Sequence, residues 1–242
     1  MIPTVKTKYL FFNLLKLIKP GLALDVGSMD GADSLRFRKM VPHAKIIAFE
    51  GNPYNFKRMN ADRRLKQANI ILSDQLVSKG REATFYVSKE SIDGVGNLGS
   101  SSLRPPSDKD TVGEKLARPC VSLDTVIGSN IAENDKVALW VDVEGAAYEV
   151  LETALSQSDR LSILHVEVEL EPRWEGQLLK NDVIKLCDKM GLDLIAKSKN
   201  ETQQDLVFVN RDLLRSHSIR IKFALFITRF FQASSSRILA VF

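Results

Sequence analysis

From residue 22 onward, short apolar segments alternate with amphipathic ones, and this alternation is the strongest constraint on the fold. The apolar segments are rich in Val, Ile and Leu and are bounded by polar turns, which is typical of strands buried on both faces. Strands separated by helices predict a mainly parallel sheet whose carboxyl strand ends lie along one edge. The predicted strands are 22–27, 45–50, 68–74, 136–145 and 161–170, and the predicted helices are 4–19, 30–40, 53–65, 146–157 and 174–190.

Four further segments modify this pattern. Residues 83–88 are β-branched and aromatic and predict an extra strand, and residues 118–127 predict a short strand and a helical turn. Residues 89–114 are rich in Gly, Ser, Pro and Asp and predict a long loop. "LDLIAKS" and "QDLVFVN", which a polar turn joins, predict an antiparallel hairpin at the edge of the sheet. The whole pattern predicts an α/β fold with helices on both faces.

The length of 242 residues suits one large domain with additions. We predict an N-terminal helix within 1–21, a domain over 22–210 and a basic amphipathic tail over 211–242. The net charge of +4 is uneven, because the tail holds six basic residues and one acidic residue and the remainder is close to −1. The basic character therefore belongs to the tail, and we expect no nucleic-acid partner.

The two cysteines, Cys120 and Cys187, form no CxxC or zinc spacing and predict reduced thiols.

The apolar N-terminal run is interrupted by Lys16 and Lys19, and no small-residue cleavage site follows it. No stretch is long and apolar enough for a good transmembrane helix. We expect a cytoplasmic protein, with peripheral attachment at the inner membrane surface as the alternative.

The first predicted strand ends in Asp25 and enters the glycine-rich turn Asp25-x-Gly27-x-x-x-Gly31. Gly27 allows a tight turn and close backbone approach, and Gly31 allows close packing where the next helix begins. The N-terminus of that helix suits an anionic group, whereas Asp25 suits a cationic or hydrogen-donating partner. The turn predicts a nucleotide-like ligand, and an ordinary βα turn is the alternative interpretation.

The second predicted strand ends in Glu50, 25 residues after Asp25. An acid at this strand end accepts hydrogen bonds from both ribose hydroxyls, so NAD and S-adenosylmethionine remain open, whereas the extra phosphate of NADP would be repelled. Met29 stands where dinucleotide folds have their second glycine, and the three-residue gap between Gly27 and Gly31, with an acid before the first, favours the methionine-bearing nucleoside. After the third strand, Asp74 and Leu76 with Val77 are candidates for one polar partner and an apolar wall around an adenine.

Four segments in order resemble the FkbM-type S-adenosylmethionine-dependent methyltransferases over about residues 22 to 210. They are "DVGSMDGADSLRF", "AFEGNPYNF", "VSLDTVI" and "VDVEGAAYEVLETA". The resemblance implies the class I methyltransferase fold, with a mostly parallel seven-stranded sheet, and O-methylation of sugar or polyketide hydroxyls. Between its two glycines this chain has Ser28-Met29-Asp30, where the family usually has a small residue and then Asn.

The resemblance also implies that S-adenosyl-L-methionine is the cofactor and indicates which residues bind it. They are Asp25, Gly27, Ser28, Asp30 and Gly31 in the first turn and Glu50, Gly51 and Asn52 after the second strand. Asp74 and Leu76, proposed above from their place after the third strand, complete the cofactor-binding candidates. Asp30 is in addition a candidate N-cap for the helix that follows.

Asp142 and Glu144 follow the fourth main strand, which lies beside the first strand in the class I fold. Alternation places both side chains on one side, about 7 Å apart. Methyl transfer needs alignment and a carboxylate near the acceptor hydroxyl as base, so Asp142 is our first candidate and Glu144 our second. The alternative is that one of these acids caps the next helix.

In the next strand, His165, Glu167 and Glu169 share one face. We expect His165 to be a buried, hydrogen-bonded histidine and Glu167 to orient a substrate hydroxyl. A divalent cation held by Asp142, Glu144 and Glu167 is conceivable, but we predict no metal. The polar loop 94–104 supplies further substrate candidates, Asn97, Ser100, Ser101 and Ser102, unless it is a solvated linker.

In the tail, apolar residues recur at helical spacing and predict an apolar helix face that must be covered. It can dock on its own domain, form a homo-oligomer contact or lie on an anionic membrane through residues 213–231. The residues of this face are Ile219, Phe223, Phe226, Ile227 and Phe230, widened by Ile221 and Leu225.

We expect a small-molecule or glycan acceptor for a methyltransferase of this kind. Three rivals stay open: an NAD-dependent oxidoreductase, a non-catalytic methyltransferase-like binding module, and a methyltransferase acting on RNA or protein. The oxidoreductase needs tight NAD binding, and the binding module predicts cofactor binding that is absent or without turnover. Fold-level resemblance does not name the acceptor.

Overall fold

A computed structural model describes residues 2–132 and 135–238 of the chain, and the side chains of 229–238 lie outside the described residues. Ten strands are present in this part of the chain. In chain order they are β1 (Leu22–Val26), β2 (Lys45–Phe49), β3 (Ile71–Ser73), β4 (Leu76–Val77), β5 (Glu82–Ser88), β6 (Val112–Val121), β7 (Val137–Val141), β8 (Leu161–Glu169), β9 (Leu192–Lys197) and β10 (Gln203–Asn210).

Ten α-helices accompany these strands within the described residues. They are α1 (Thr7–Ile18), α2 (Ala32–Met40), α3 (Pro53–Ala61), α4 (Arg63–Gln67), α5 (Lys89–Asp93), α6 (Leu123–Asn130), α7 (Ala147–Glu152), α8 (Lys180–Lys189), α9 (Arg211–Ser216) and α10 (Ser218–Ile238).

Seven strands form the main sheet in the order β3-β2-β1-β7-β8-β10-β9. The first five of these pair in parallel, and β10 runs antiparallel to both of its neighbours. The predicted α/β fold with a mostly parallel seven-stranded sheet is confirmed. The predicted hairpin is also present, but its second strand β10 lies inside the sheet and β9 forms the edge.

Side chains that alternate along the strands pack into two separate hydrophobic cores, one on each face of the sheet. Leu22, Leu24 and Val26 of β1 lie in a cluster that includes residues of α6, α7 and α8. Ala23 and Trp140 lie in the opposite cluster with residues of α1 and α2. The N-terminal helix, predicted over 4–19, therefore covers one face of the sheet.

A second, three-stranded sheet has the order β4-β6-β5. The predicted strand at 83–88 is β5, and it pairs antiparallel with β6. The expectation of a loop over the whole of 89–114 is wrong at both ends, because α5 begins at Lys89 and β6 begins at Val112. Serine caps α5, and cross-strand pairing with β5 extends β6 beyond the local sequence signal.

Two predicted helices are shorter than their apolar pattern indicated. The helix predicted over 53–65 is broken at Asp62, whose carboxylate accepts a hydrogen bond from the Arg64 backbone N–H and starts α4. The helix predicted over 174–190 begins only at Lys180. Trp174 instead forms an isolated bridge with Pro106, which holds that segment extended.

The tail forms α9 and α10, and α10 packs on α1. Of the predicted apolar face, Ile219, Phe223 and Phe226 are exposed and do not dock on the domain, while Ile221 and Ala224 are buried. The side chain of Phe230 lies outside the described residues. Within the described part of the chain, none of the helices has the length and apolar character needed to cross a membrane.

Candidate functional site

A cleft of about 360 Å³ opens at the carboxyl ends of β1, β2 and β7, where ligands bind in open parallel sheets. The loop at 97–103 and Phe85 of β5 form its opposite wall. Of the predicted site residues, those lining the cleft are Asp25, Gly27, Ser28, Asp30, Glu50, Gly51, Leu76, Asn97, Ser101, Ser102, Asp142, Glu144 and Glu167. Gly31, Asn52 and Asp74 do not line it.

Gly27 permits the closest backbone approach in the site. Its φ is +84°, and a Cβ placed there would lie 1.8 Å from the carbonyl oxygen of Asp142. This contact, together with the hydrogen bond from the Asp142 N–H to the Val26 carbonyl (2.9 Å), joins the ends of β1 and β7. The glycine that the turn pattern indicated therefore fixes the position of a candidate catalytic acid.

The rest of the first turn is shaped by Met29, Asp30 and Gly31. Gly31 has a φ of +76°, and a Cβ there would lie 2.6 Å from a methyl carbon of Leu65. Gly31 itself is the N-cap of α2, so the prediction of Asp30 at that position is wrong by one residue. The Asp30 carboxylate nevertheless accepts a hydrogen bond from the Ala32 N–H (2.9 Å), because it lies one residue before the cap.

Asp25 is buried at the floor of the cleft. Its Oδ2 accepts hydrogen bonds from the hydroxyls of Ser28 (2.7 Å) and Ser34 (2.6 Å). Burial outweighs these bonds and raises the pKa of Asp25 to about 6. Ser28 thus orients Asp25 as well as lining the cleft.

Glu50 joins the first two turns of the sheet. One carboxylate oxygen accepts a hydrogen bond from the Met29 N–H (2.7 Å), and the other accepts one from the Asn52 N–H (2.8 Å). Burial raises the pKa of Glu50 to about 7. Each carboxylate oxygen can accept more than one hydrogen bond, so the acid can also face the cleft as a hydrogen-bond acceptor.

The predicted adenine surroundings are only partly present. Leu76 and Val77 line the cleft, and a Cβ on Gly51 would lie 2.1 Å from a methyl carbon of Leu76. Asp74 instead pairs with Arg118 at 3.1 Å, outside the cleft, and Gln75 occupies the polar position. Asn52 caps α3 and donates to Ser101 Oγ (3.0 Å), so it supports the wall without lining it.

Three acids meet at the far end of the cleft. Asp142 is accessible from the cleft, yet surrounding protein desolvates it enough to raise its pKa to about 7. Burial likewise raises the pKa of Glu144 to about 7 and, with the neighbouring acids, that of Glu167 to about 9. No side chain caps α7 at its N-cap Ala146, so the alternative capping role for Asp142 or Glu144 is not observed in the described residues.

The acid group extends to Glu169, which sequence reasoning did not assign to the site. Carboxylate oxygens of Glu144, Glu167 and Glu169 lie within 4.8 Å of one another. Asp142 is not a member of this set. Glu169 accepts a hydrogen bond from the Gly145 N–H (3.0 Å), which holds the turn that carries Glu144.

The loop predicted to contact substrate is tied to the protein by its own serines. Ser101 Oγ accepts hydrogen bonds from the Asn52 side chain and from the Ser88 N–H (3.1 Å). Ser102 Oγ donates to the backbone carbonyl of Glu144. Asn97 lies at the mouth, where its side-chain oxygen accepts from the Gly99 N–H (3.0 Å). These hydrogen bonds connect the loop to the wall of the cleft.

The structure adds residues that sequence reasoning missed. Trp140, two positions before Asp142, lines the cleft and stacks on His165 with ring centroids 3.6 Å apart. His165 is buried as expected, and burial lowers its pKa to about 3. Neither ring nitrogen of His165 has a hydrogen-bond partner among the described protein groups.

Further missed residues come from distant parts of the chain. Gln203 of β10 lines the cleft and donates to Glu167 Oε1 (3.0 Å). Lys8 of α1 pairs with the cleft-lining Asp33 at 2.7 Å and lies over the Trp140 ring. An aromatic residue at alternate spacing before Asp142 could have indicated Trp140, but no local signal indicated Gln203 or Lys8.

The cleft is strongly acidic. Among the described residues that line it there is no Lys, Arg or His. A ligand carrying a pyrophosphate would meet only carboxylates and neutral groups, whereas a cationic ligand would be attracted. The lining acids are Asp25, Asp30, Asp33, Glu50, Asp142, Glu144 and Glu167.

The raised pKa values predict that the protein is more stable in mildly acid than in alkaline solution. Asp25, Glu50 and Glu144 retain protons in the folded chain at pH values where unfolded carboxyls are ionised. Because the folded state binds more protons, stability falls as pH rises through the folded-state pKa values. We expect the melting temperature, measured by calorimetry without ligand, to fall from about pH 5 to about pH 8.

Glu167→Gln provides the comparison for this pH dependence. It removes the acid whose pKa is raised furthest in this group, to about 9, and the decline at the alkaline end should become shallower. A melting temperature that increases steadily over the same range would contradict the raised pKa values.

Comparison with solved structures finds similar folds at low sequence identity. The FkbM methyltransferase from Methylobacillus flagellatus KT is 12% identical, with a TM-score of 0.48, and the match covers 78% of this chain and 44% of that one. Precorrin-6y C5,15-methyltransferase from Geobacter metallireducens GS-15 is 13% identical, with a TM-score of 0.45, and the match covers 86% of this chain and 92% of that one. The N-terminal domain of EvdMO1 with SAH bound is 12% identical, with a TM-score of 0.46, and the match covers 86% of this chain and 82% of that one.

The family assignment rests on sequence and not on these structures. No curated protein is found to match the chain. The family model of the methyltransferase FkbM domain, however, matches residues 25–198 and so includes both strand-end acids, the loop wall and the acid group. Since this match covers most of the chain, the protein belongs to the methyltransferase FkbM domain family.

Proposed function

We propose that the cleft binds S-adenosyl-L-methionine and that the protein transfers its methyl group to a hydroxyl of a sugar, a glycan or a related small metabolite. The observation that carries this proposal is the acidic lining of the cleft without any basic residue. S-adenosylmethionine carries a sulfonium and an ammonium, and carboxylates stabilise such cations. The same lining disfavours NAD, whose pyrophosphate needs hydrogen-bond donors or cations.

The residues present fit this cofactor. Glu50 faces the cleft with a carboxylate that can accept hydrogen bonds from a ribose, and Leu76 with Val77 offers an apolar surface for a base. Gln75 replaces Asp74 as the polar neighbour in this proposal. The first turn, from Asp25 to Gly31, would hold the methionine end, with Asp30 turned toward the Ala32 N–H.

When bound, S-adenosylmethionine supplies an electrophilic methyl group, so the protein must position the acceptor and accept its proton. Asp142 has a pKa raised to about 7 by burial and can take up a proton at neutral pH. The proton of the acceptor hydroxyl would pass to a carboxylate oxygen as the new carbon–oxygen bond forms, the methyl–sulfur bond breaks and S-adenosylhomocysteine is left as the neutral thioether product. Glu167, with its pKa raised to about 9, would remain protonated and donate a hydrogen bond to the acceptor.

A hydroxylated acceptor suits the far wall of the cleft. Amide and hydroxyl side chains, including Asn55, Asn97, Ser101 and Gln203, line the same cleft, and Gln203 donates to Glu167 of the acid group. Such groups bind sugar hydroxyls by donating and accepting hydrogen bonds. An RNA acceptor would bring phosphates toward the same carboxylates, which disfavours that alternative.

Labelled methyl transfer tests the proposed activity. The protein is incubated with methyl-labelled S-adenosylmethionine and fractionated cell extract, and we expect label in a carbohydrate or small-metabolite fraction. Label in RNA or protein would overturn the proposed acceptor class. Cofactor binding without any labelled product would favour a non-catalytic module, and absence of binding would overturn the cofactor assignment.

Glu50→Gln should weaken S-adenosylmethionine binding. The substitution removes the charge and places an amide N–H₂ against a backbone N–H of Met29 or Asn52. Hydrogen bonds to a charged group contribute about 1.5–3 kcal/mol, so we expect the dissociation constant to rise roughly 10- to 100-fold. Isothermal titration calorimetry measures it.

Asp74→Ala is the matched comparison for Glu50→Gln. Asp74 also follows a strand near the adenine region, but its side chain pairs with Arg118 outside the cleft. Its substitution should leave the dissociation constant unchanged. Unchanged binding in Glu50→Gln would remove the ribose assignment, and a loss confined to Asp74→Ala would restore the original adenine assignment.

A further inference from the structure

Helix α10 packs on its own domain through one face only. Ile221, Ala224 and Thr228 are buried on this face. The Thr228 hydroxyl donates to the Ala224 carbonyl (2.8 Å) and accepts a hydrogen bond from Asn13 of α1 (3.3 Å). These contacts fix which side of α10 faces away from the protein.

The opposite side of α10 is apolar and exposed. Ile219, Phe223 and Phe226 are 82%, 61% and 63% exposed, respectively. At about 100° of rotation per residue, these three positions fall within a sector of roughly 60° on the side away from α1. We call this ridge of Ile219, Phe223 and Phe226 the outer face of α10.

Cations flank the outer face on both sides. Arg220 and Lys222 are exposed, and the helical rotation places one on either side of the apolar ridge. Arg215 of the preceding helix α9 is exposed but already pairs with Asp212 (3.5 Å), so Arg220 and Lys222 carry the argument. From residue 213 to residue 242 the sequence contains no Asp or Glu that could neutralise these two cations.

We propose that the outer face of α10 binds the surface of an anionic lipid bilayer, with the helix axis parallel to the membrane plane. An apolar ridge that enters the acyl boundary, flanked by cations that meet lipid phosphates, is the arrangement of an interfacial helix. A second copy of the chain fits less well, because a symmetric contact would bring like charges together without an acid to pair them. The inference is independent of the proposed methyl transfer.

Vesicle co-sedimentation of the full chain tests this inference. We expect binding to phosphatidylcholine vesicles containing phosphatidylglycerol, little binding to phosphatidylcholine alone, and weaker binding as salt is added. Ile219→Ser with Phe223→Ser should lower the partition coefficient by roughly tenfold or more, because apolar area no longer enters the bilayer. Arg220→Gln with Lys222→Gln should lower it roughly fivefold per charge.

A matched double variant on the other side of the sheet is Leu155→Ser with Lys189→Gln. Both residues are exposed, and neither belongs to the tail or to the cleft, so vesicle binding should equal that of the parent protein. Equal binding to neutral and anionic vesicles, or parental binding by the Ile219/Phe223 variant, would overturn the inference. Self-association in sedimentation velocity that disappears in the Ile219/Phe223 variant, without vesicle binding, would also overturn it and assign the face to a second copy.

Discussion

Gly27→Ala is expected to destabilise the protein by about 3–5 kcal/mol, because it combines steric overlap with an unfavourable backbone conformation. The added Cβ would lie 1.8 Å from the carbonyl oxygen of Asp142, and that oxygen belongs to backbone which cannot rotate away like a side chain. The φ of +84° adds strain for any L-residue. We expect the melting temperature to fall by roughly 10 °C or more.

Alanine substitutions at two other glycines separate the steric overlap from the cost of the backbone conformation. Gly191 has a φ of +73° but nothing within 4 Å of a Cβ, so Gly191→Ala measures the conformational cost alone. Gly128 lies in α6, has open space around a Cβ and no left-handed φ, and Gly128→Ala should be neutral or slightly stabilising. If Gly27→Ala melted no lower than Gly191→Ala, the close approach to Asp142 would not hold in solution.

The sequence located the cleft well where the signal was local. Asp25, Glu50 and Asp142 follow buried parallel strands, and such strand ends meet at one edge of a sheet whatever else surrounds them. Asp74 shows the limit of this reasoning. The third strand was predicted over 68–74 and spans Ile71–Ser73; Asp74 follows it but pairs with Arg118, and the next residue, Gln75, lines the cleft instead.

Other parts of the site depend on contacts between distant segments. Gln203 reaches the cleft because β10 lies beside β8, an order that the local pattern of a hairpin does not specify. Phe85 does so because β5 belongs to a separate small sheet. Neither contact follows from periodicity, since both depend on which strands pair.

The tail helix illustrates the same limit for helices. Hydrophobic periodicity selected the large residues Ile219, Phe223 and Phe226, whereas α1 packs against the smaller Ala224 and Thr228 together with Ile221. Small side chains let two helices approach closely, and the hydroxyl of Thr228 is satisfied by Asn13 and by its own helix. Shape and hydrogen bonding therefore decided the packed face, and this leaves the larger apolar side chains exposed.

Asp142→Asn should reduce kcat by on the order of 10²–10⁴ while leaving the dissociation constant of S-adenosylmethionine nearly unchanged. The substitution keeps the shape of the side chain but removes the group that accepts the proton from the acceptor hydroxyl. In the parent protein kcat/KM should rise with pH through about 7, because the base of the ligand-free protein must be ionised and its pKa is raised to about 7. Asp142→Asn should abolish this rise. Methyl-transfer assays over a pH series, with the cofactor affinity measured by calorimetry, provide both readouts.

Two further variants determine whether the loss belongs to Asp142 itself. Asp62→Asn makes the same chemical change outside the cleft, at a helix cap that asparagine can also form, and should leave kcat unchanged. Glu144→Gln tests the neighbouring acid, whose pKa is raised to a similar value. Full turnover by Asp142→Asn, combined with a large loss in Glu144→Gln, would transfer the role of base to Glu144. Full turnover by both would mean that neither acid is the required base and would favour transfer by alignment and exclusion of water.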